Sequence, residues 1–226
     1  MKPNSLARYR ITKLIVVALI LSISGCLPLP YYVSPDVTIN EQDELLDDGI
    51  TLTIAPRELL EKISKVITDS HENIEIVDGL VFRDTAFPEG GWILSQLFDS
   101  VTRKRISTQL DVRYLVIVGR DDLLRSGGEY KMILPPVLGG GSEEKVSTIS
   151  AAIIDIMTGE TECQISSEAH GTERTAHWVI IVAGTIPLTS ASAIKGVARE
   201  IGRKINNLAG PEKTRIAILA TENKIQ

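Results

Sequence analysis

The chain has 226 residues, and its hydrophobic content of 43% is enough for one domain with a substantial core. It carries 24 Lys and Arg against 29 Asp and Glu; residues 1–25 hold four of the cations and no acid, so the remainder has a net charge of −9. Such an acidic chain, without an evident basic stripe, is not expected to bind nucleic acid or to adhere to anionic lipid through charge.

Residues 1–25 are typical of a secretory signal peptide. Four cations precede an apolar run over residues 14–23, which is about half of the roughly 20 residues that a membrane-spanning helix needs. The segment leads into Ile23-Ser24-Gly25-Cys26, and this tetrapeptide resembles the lipobox of bacterial lipoproteins: an aliphatic residue, a small residue, Gly or Ala, and an obligatory cysteine. The alternative is an uncleaved N-terminal helix with an incidental cysteine.

The lipobox resemblance implies a covalent lipid anchor on Cys26. The thiol would carry a diacylglyceryl thioether, cleavage would occur before the cysteine, and the freed α-amine would take a further acyl chain such as palmitate. Because two or more acyl chains anchor a protein stably, the mature protein is expected to be attached to a membrane rather than to span it. Leu27 stands where an Asp would favour the inner membrane, so the expected location is the bacterial cell envelope, on the periplasmic side of the outer membrane.

Residues 26–48 are predicted to be the lipidated cysteine followed by a proline-rich, acidic tether. Pro28, Pro30 and Pro35 keep this part of the chain extended, and acids gather toward its end. The 22 residues after the cysteine would reach roughly 70 Å when fully extended. Tyr31 and Tyr32 are close enough to the anchor to lie at the lipid headgroups, or else they belong to a solvated tether.

A globular domain is predicted over residues 49–210, and its first half alternates strands with helices. A short strand within residues 50–56 precedes a helix that begins at Pro56 and has an apolar face at helical spacing. A strand at 74–77, a helix over about 91–105 and a strand at 113–120 follow. The helix is predicted to point its apolar residues inward, namely Ile93, Leu94, Leu97, Phe98 and Val101. The last strand is apolar without interruption over 114–118, which indicates a central strand that is buried on both faces.

The second half of the domain changes to consecutive strands before a final helix. Strands are predicted on both sides of the glycine run at 139–141, which is interpreted as a flexible hairpin loop, and again after a Gly-containing turn at 157–160. A helix over about 190–208 ends at Gly210-Pro211. Residues 211–226 are predicted to be a polar tail that adds little core, although Ile216 to Leu219 could pair locally. The expected fold class is α/β, a single domain with helices packed on a mixed β-sheet in the order β-α-β-α-β-β-β-α.

No residue pattern indicates a catalytic, metal or cofactor site. The glycine run lacks the lysine of a phosphate-binding loop, and no nucleophile elbow is present. The spacing of Glu168, His170 and His177 matches no metal-site pattern. His170 is predicted to end a strand, and His71 falls at a helix end. Cys163 is predicted to be a small buried hydrophobic residue. The basic cluster at 103–105 is predicted to end a helix, with a partner contact as the alternative.

An apolar segment, "WVIIVAGTIPL" at residues 178–188, has eleven residues without a charge. It is too short to span a membrane, so a buried strand and turn is the first interpretation. The alternative is an exposed surface for a partner or the membrane, with Trp178, Ile180 and Ile181 as its residues.

Two further stretches, "DVRYLVIVGR" and "AAIIDIMTGETECQISSEAHG", look like the central strand and the D-x-x-T-G-E hairpin of bacterial envelope lipoproteins of the CsgG, YajG and LpoB kind. The resemblance implies an α/β module with a non-catalytic assembly or accessory role, with other envelope proteins as its partners. It assigns no catalytic or binding residue. An envelope hydrolase and a small-ligand-binding sensor with an unrecognised site are the alternatives.

Overall fold

The computed structural model describes residues 31–42, 46, 49–119, 125–127, 138–178 and 181–221. In chain order its strands are β1 Tyr31–Val33, β2 Asp36–Gln42, β3 Leu52–Thr53, β4 Ile74–Val77, β5 Tyr114–Gly119, β6 Arg125–Gly127, β7 Leu138–Asp155, β8 Thr161–Trp178, β9 Ile181–Pro187 and β10 Thr214–Thr221. The helices are α1 Arg57–Ser70, α2 Gly79–Ala86, a 3-10 helix Leu94–Phe98, α3 Ser100–Leu110 and α4 Thr189–Ala209. The predicted fold class, a mixed sheet covered by helices, is confirmed.

The described residues fall into two compact units rather than the single domain that was expected. Of the described residues, the smaller unit takes those within 31–33, 127, 138–144, 172–178 and 181–187, and the larger unit takes the others. In the smaller unit, β9 pairs antiparallel with β8 and parallel with β1, with Thr185 opposite both Arg174 and Tyr31. The glycines at 139–141 lie in β7, so the prediction of a flexible loop there was wrong.

The sheet of the larger unit has its longest apolar strands at the centre. Strand order is β2-β8-β7-β5-β10, and β10 is flanked on its far side by β4, which is parallel to it, and β3, which is antiparallel. All six residues of β5 are buried between β7 and β10, as predicted for a central strand. Tyr114 lies opposite Asp155 on one side and Ile216 on the other.

Helices cover both faces of this sheet, because alternate residues of each central strand point to opposite sides. On one side, Val116 and Ile218 pack with the buried residues of α1 and α4. On the other, Leu115 and Ile117 pack with α2, the 3-10 helix and α3. The larger unit is therefore a three-layer α/β/α arrangement. Among the described residues, no helix combines the length and apolarity needed to cross a membrane.

The predicted C-terminal tail is in fact part of the core. Thr214–Thr221 forms β10, which pairs in parallel with β5 over six residues, and seven of its eight residues are buried. The prediction that residues after Pro211 add little core was therefore wrong. The sequence of a short apolar run does not show whether the run is buried, because its burial depends on pairing with a strand that is distant in the sequence.

The predicted tether also enters the fold before residue 48. Asp36–Gln42 forms β2, which runs antiparallel to β8 with Asp36 opposite His170 and Gln42 opposite Gln164. Pro35 and Leu46 are buried, and Leu46 belongs to the core beside α2 and α3. The predicted boundary at residue 49 was therefore wrong for the larger unit, which begins at Ser34.

The helix predicted over 91–105 is divided into two shorter elements, and α2 was not predicted. Gly90, Gly91 and Trp92 have positive φ angles, which exclude a helix there. Asp99 then separates the 3-10 helix from α3, because its backbone is extended. It also caps α3, since its carboxylate accepts a hydrogen bond from the Thr102 N–H at 3.0 Å. That bond holds the pKa of Asp99 below its ordinary value. Val101, predicted to point inward, is exposed.

The elements with the clearest periodicity were predicted well. Helix α1 follows Pro56, although Pro56 is its N-cap rather than its first residue, and α4 covers the predicted span. Strands β3 and β4 and the turn at 157–160 lie where the sequence indicates. Cys163 is buried, as predicted.

Candidate interaction surface

The residues of the predicted lipid signal, Ile23, Ser24, Gly25 and Cys26, lie outside the described part of the chain, as does Ile180. Trp178 and Ile181 are directly paired across the hairpin formed by β8 and β9. The structure thus brings two residues of the apolar segment together at one hairpin end, and a contact with a partner or membrane stays a prediction.

Glu168 and His170, whose spacing with His177 matches no metal-site pattern, both lie on β8. His170 and Glu168 lie on the same face of β8, with Nε2 2.7 Å from the carboxylate Oε1. The strand continues to Trp178, so the prediction that His170 ends a strand was wrong. His71 is the C-cap of α1, as its sequence position indicates. In the part of the chain that the structure describes, no three His, Cys, Asp or Glu side chains are close enough to hold a metal ion.

The two stretches with family resemblance meet at the paired ends of β5 and β7. The Ile156 N–H donates to the Arg113 carbonyl at 2.8 Å, and the Arg113 Nε lies 3.8 Å from a carboxylate oxygen of Asp155. The Arg113 guanidinium is 5.1 Å from the centre of the Tyr114 ring. Burial is the main cause that raises the pKa of Tyr114. These contacts join the start of the hairpin turn to the end of the central strand β5.

The hairpin turn is built by its own polar residues. The Asp155 carboxylate accepts a hydrogen bond from the Met157 N–H at 2.7 Å, and the Thr158 hydroxyl accepts one from the Glu160 N–H at 3.1 Å. Gly159 has a φ of +78°, a conformation that costs other residues free energy. This local chemistry explains why the sequence predicted the turn correctly.

The turn is attached to helix α3 through Arg103. Its Nη1 donates to the Met157 carbonyl at 2.9 Å, and a Cβ added to Gly159 would lie only 3.2 Å from that nitrogen. Arg103 and its basic neighbours are in the first half of α3, so the prediction that they end a helix was wrong. Arg103 therefore stabilises the domain internally. Of the three cations, Lys104 is exposed and the other two are partly buried.

A shallow cleft of about 250 Å³ lies between α3 and the turn. Its lining residues are Ser100, Arg103, Lys104, Ser107, Ile156 and Met157. The four from α3 recur at three- and four-residue spacing and so share one helix face. Pockets that enclose small ligands measure roughly 300–1,000 Å³, so this open cleft suits a contact with a protein surface better than a small molecule.

Exposed apolar side chains flank the cleft. Met157 and Val101 are 61% and 62% exposed, and Val101 lies one helical turn from Lys104. We call the set Val101, Arg103, Lys104, Ser107 and Met157 the α3–hairpin surface. Apolar side chains beside cations, with hydroxyl groups between them, are suited to a partner that offers both an apolar side chain and a carboxylate.

Strand β2 is held to helix α4 by charge and by close packing. Glu41 forms ion pairs with Lys204 and with Arg203, the latter at 2.7 Å. The hydrogen bond from Lys204 is the largest cause that lowers the pKa of Glu41. A Cβ added to Gly196 would lie 3.0 Å from Val37, so this glycine lets the strand approach the helix closely.

The larger unit is thus an α/β/α arrangement in which Asp36–Gln42 is paired with the β8 edge of the sheet. We call this paired segment the β2 clip. Comparison with protein-family models and with curated proteins finds no match to this chain. Sequence reasoning missed the β2 clip, whose only local signal is the alternation of Val37 and Ile39 with polar residues. It also missed the contact between Arg103 and the turn, for which no local signal exists.

Proposed function

We propose that the protein is a lipid-anchored, non-catalytic module of the bacterial envelope that faces the periplasm and docks another envelope protein on its α3–hairpin surface. The observation that carries the proposal is the β2 clip. Seven residues of β2 pair with β8, so the segment that follows the lipobox is integrated into the sheet. A lipid on Cys26 would therefore hold the folded unit itself, and not a loosely attached domain.

The clip makes the proposed anchor much shorter than the sequence alone suggests. Nine residues separate Cys26 from Asp36, the first residue of β2, and this connection spans at most roughly 36 Å. The tether of residues 26–48 would have reached about twice as far. The α/β/α unit would stay close to the bilayer, where envelope partners on the same membrane can meet it.

The smaller unit has an even shorter connection to the proposed anchor. Only four residues separate Cys26 from β1, and β1 pairs with β9, the strand that contains most of the apolar segment 178–188. The pairing supports a second contact with lipid through this segment, with Trp178, Ile180 and Ile181 as the residues to test.

Metabolic labelling with palmitate tests the anchor. Wild-type protein should incorporate label and Cys26→Ser should not, because the thioether needs the thiol. Cys163→Ala is the matched control, since Cys163 is the other cysteine of the chain and is buried, and it should be labelled like wild type. Label retained by Cys26→Ser would show that the lipobox interpretation is wrong.

Photo-crosslinking in cells tests the partner surface. A crosslinking amino acid at position 101 or 157 should give a discrete adduct with another envelope protein. The same amino acid at Lys65, which is exposed on α1 at the opposite sheet face, should give no such adduct. Adducts at Lys65 alone, or at no position, would contradict the assignment of the α3–hairpin surface.

Flotation with vesicles tests the apolar segment separately. A chain that begins at Leu27, and so lacks the cysteine that would carry the lipid, should bind vesicles weakly if segment 178–188 contacts lipid. Ile180→Lys with Ile181→Lys should abolish that binding, because each buried Ile contributes roughly 1.5–3 kcal/mol. Unlipidated protein that never floats would leave the lipid as the only attachment and would reject this second contact.

A further inference from the structure

Strand β4 lies at an edge of the sheet in the larger unit. It pairs with β10 on one side, and no other strand of the described chain pairs with it. The Thr214 N–H donates to the Asn73 carbonyl at 2.8 Å, so the backbone groups of Asn73 face β10. Because these groups alternate along a strand, Glu75 and Val77 also face β10, whereas the N–H and C=O of Ile76 point to the open side.

A shallow groove of about 550 Å³ lies against this open side. It is lined by β4, by Lys213, and by Thr68, His71 and Glu72 at the end of α1. Ile76 is partly exposed there and packs against the core beneath α1. Every lining residue belongs to the larger unit. An extended segment in the groove would therefore contact an open strand edge and the end of a helix together.

The one charged residue of β4 is neutralised by its neighbours. Charges on an edge strand discourage pairing with other chains when they are left unpaired. The Glu75 carboxylate lies 2.9 Å from the Nζ of Lys213 and 3.2 Å from an Nη of Arg215. The hydrogen bond from Lys213 is the largest cause that lowers the pKa of Glu75. This carboxylate is thus compensated within the protein and would repel an added strand only weakly.

The surroundings of the groove are acidic. Residues 69–78 hold four acids at three-residue intervals and no Lys or Arg. Asp69, Glu72 and Asp78 are exposed, and among the described residues none of the three forms an ion pair. A second copy of the chain paired along β4 would bring these like charges together, whereas Lys or Arg in a different partner would meet opposite charges.

We infer that the β4 edge binds an extended segment of another protein, which adds a strand beside β4 and carries Lys or Arg next to apolar residues. In strand addition, main-chain hydrogen bonds provide affinity and the alternating side chains provide specificity. The segment would bond to the backbone groups of Ile76, with its apolar side chains beside Ile76 and its cations beside Glu72. This edge is separate from the α3–hairpin surface, and its binding does not depend on a lipid at Cys26.

Hydrogen exchange with a model peptide tests the pairing. The probe is the peptide Lys-Val-Lys-Val-Lys-Val-Lys, added to the full-length protein in zwitterionic detergent micelles. The Ile76 amide should exchange several-fold more slowly with the peptide, because its N–H gains an acceptor. A peptide with Glu in place of each Lys, and the Lys peptide with methylated backbone amides, should leave the exchange unchanged. Protection by all three peptides, or by none, would overturn the proposal.

Two substitutions separate strand addition from attraction between charges alone. Ile76→Pro removes the outward N–H and keeps the bonds to β10, since proline is tolerated on the open side of an edge strand, and it should weaken peptide binding at least tenfold. Glu72→Lys should weaken binding several-fold. Glu58→Lys is the matched reversal, about 20 Å away at the other end of α1, and should not change it.

The remaining outcomes distinguish the location and the partner. Circular dichroism establishes that each variant is folded, and if Ile76→Pro is not, the methylated peptide and the two charge reversals decide. Equal affinity of Glu72→Lys and Glu58→Lys for the peptide would place the contact elsewhere and contradict the proposal. Slower exchange of the Ile76 amide at higher protein concentration, without peptide, would show a second copy at the edge and would overturn the assignment of the partner.

Discussion

Strands β2 and β10 both lie outside the domain that the sequence predicted, yet they occupy opposite places in one sheet. All seven residues of β2 are exposed, and it pairs only at the β8 edge among the described strands. Seven of the eight residues of β10 are buried, and it has β5 on one side and β3 and β4 on the other. The contrast shows that a terminal segment can be either a clip or a core element, depending on its partners.

The compositions of the two strands agree with their places. Strand β10 contains the run Ile216 to Ala220 without a charge, as strands buried on both faces do. Strand β2 carries Asp36 and Glu41, and charges on an edge strand discourage pairing with other chains.

A buried charge should produce the largest difference. Ile218→Asp places a carboxylate in the centre of the sheet with no partner, at a cost of several kcal/mol that would unfold most of the protein. Ile39→Asp makes the same change where the side chain is already 36% exposed, and it should leave the fold intact. Thermal unfolding followed by circular dichroism measures both. Similar melting temperatures for the two variants would remove the distinction between core and clip.

Cavity formation should produce an intermediate difference. Ile218→Ala should lower the free energy of unfolding by about 2–5 kcal/mol, because the removed atoms are fully buried. Ile39→Ala should lower it by about 1 kcal/mol or less, since much of that side chain already meets solvent. Urea unfolding of both variants gives the comparison. A larger loss for Ile39→Ala would mean that β2 contributes to the core.

Loss of the ion pairs that hold the clip should produce the smallest effect. Glu41→Gln should lower the free energy of unfolding by about 0.2–1 kcal/mol near neutral pH, because the carboxylate is over a third exposed and solvent weakens the pairs.

The effect of this substitution should also depend on pH. The pKa of Glu41 is lowered in the folded state, so its contribution is present above the ordinary pKa of a Glu and is lost as the pH falls through the folded value. The difference between wild type and Glu41→Gln in urea unfolding should therefore vanish in acid. A difference that grows on acidification would contradict the ion-pair account.

Local patterns predicted some elements well because their chemistry is contained within a few residues. The helical spacing of Ile63 and Ile67 identifies α1, and the stop at Gly210 identifies the end of α4. The Asx-type bonds of Asp155 and the positive φ of Gly159 build the hairpin turn without help from the rest of the chain. The central position of β5 was predicted because its residues are apolar without interruption, so that both faces of the strand can be buried.

The prediction of a single helix over 91–105 was wrong because the spacing of apolar residues does not show where a helix is interrupted. Leu94 and Leu97 point inward as expected, but Asp99 adopts extended backbone between them and α3. The α3–hairpin surface was not predictable for a different reason. Arg103 meets Met157 only after β5 and β7 have paired, and nothing near either residue indicates the other.

By itself, the sequence determined helices α1 and α4, the turn at 157–160, the burial of β5 and the lipobox resemblance that motivates the proposed anchor. Each of these depends on residues that are neighbours along the chain. Only the tertiary structure decided that Asp36–Gln42 is an edge strand, that Thr214–Thr221 is a central one, and that Arg203 and Lys204 of α4 pair with Glu41 of β2. Strand burial and surface charge depend on partners such as Ile216 and Tyr114, which are far apart in sequence and adjacent only in the folded sheet.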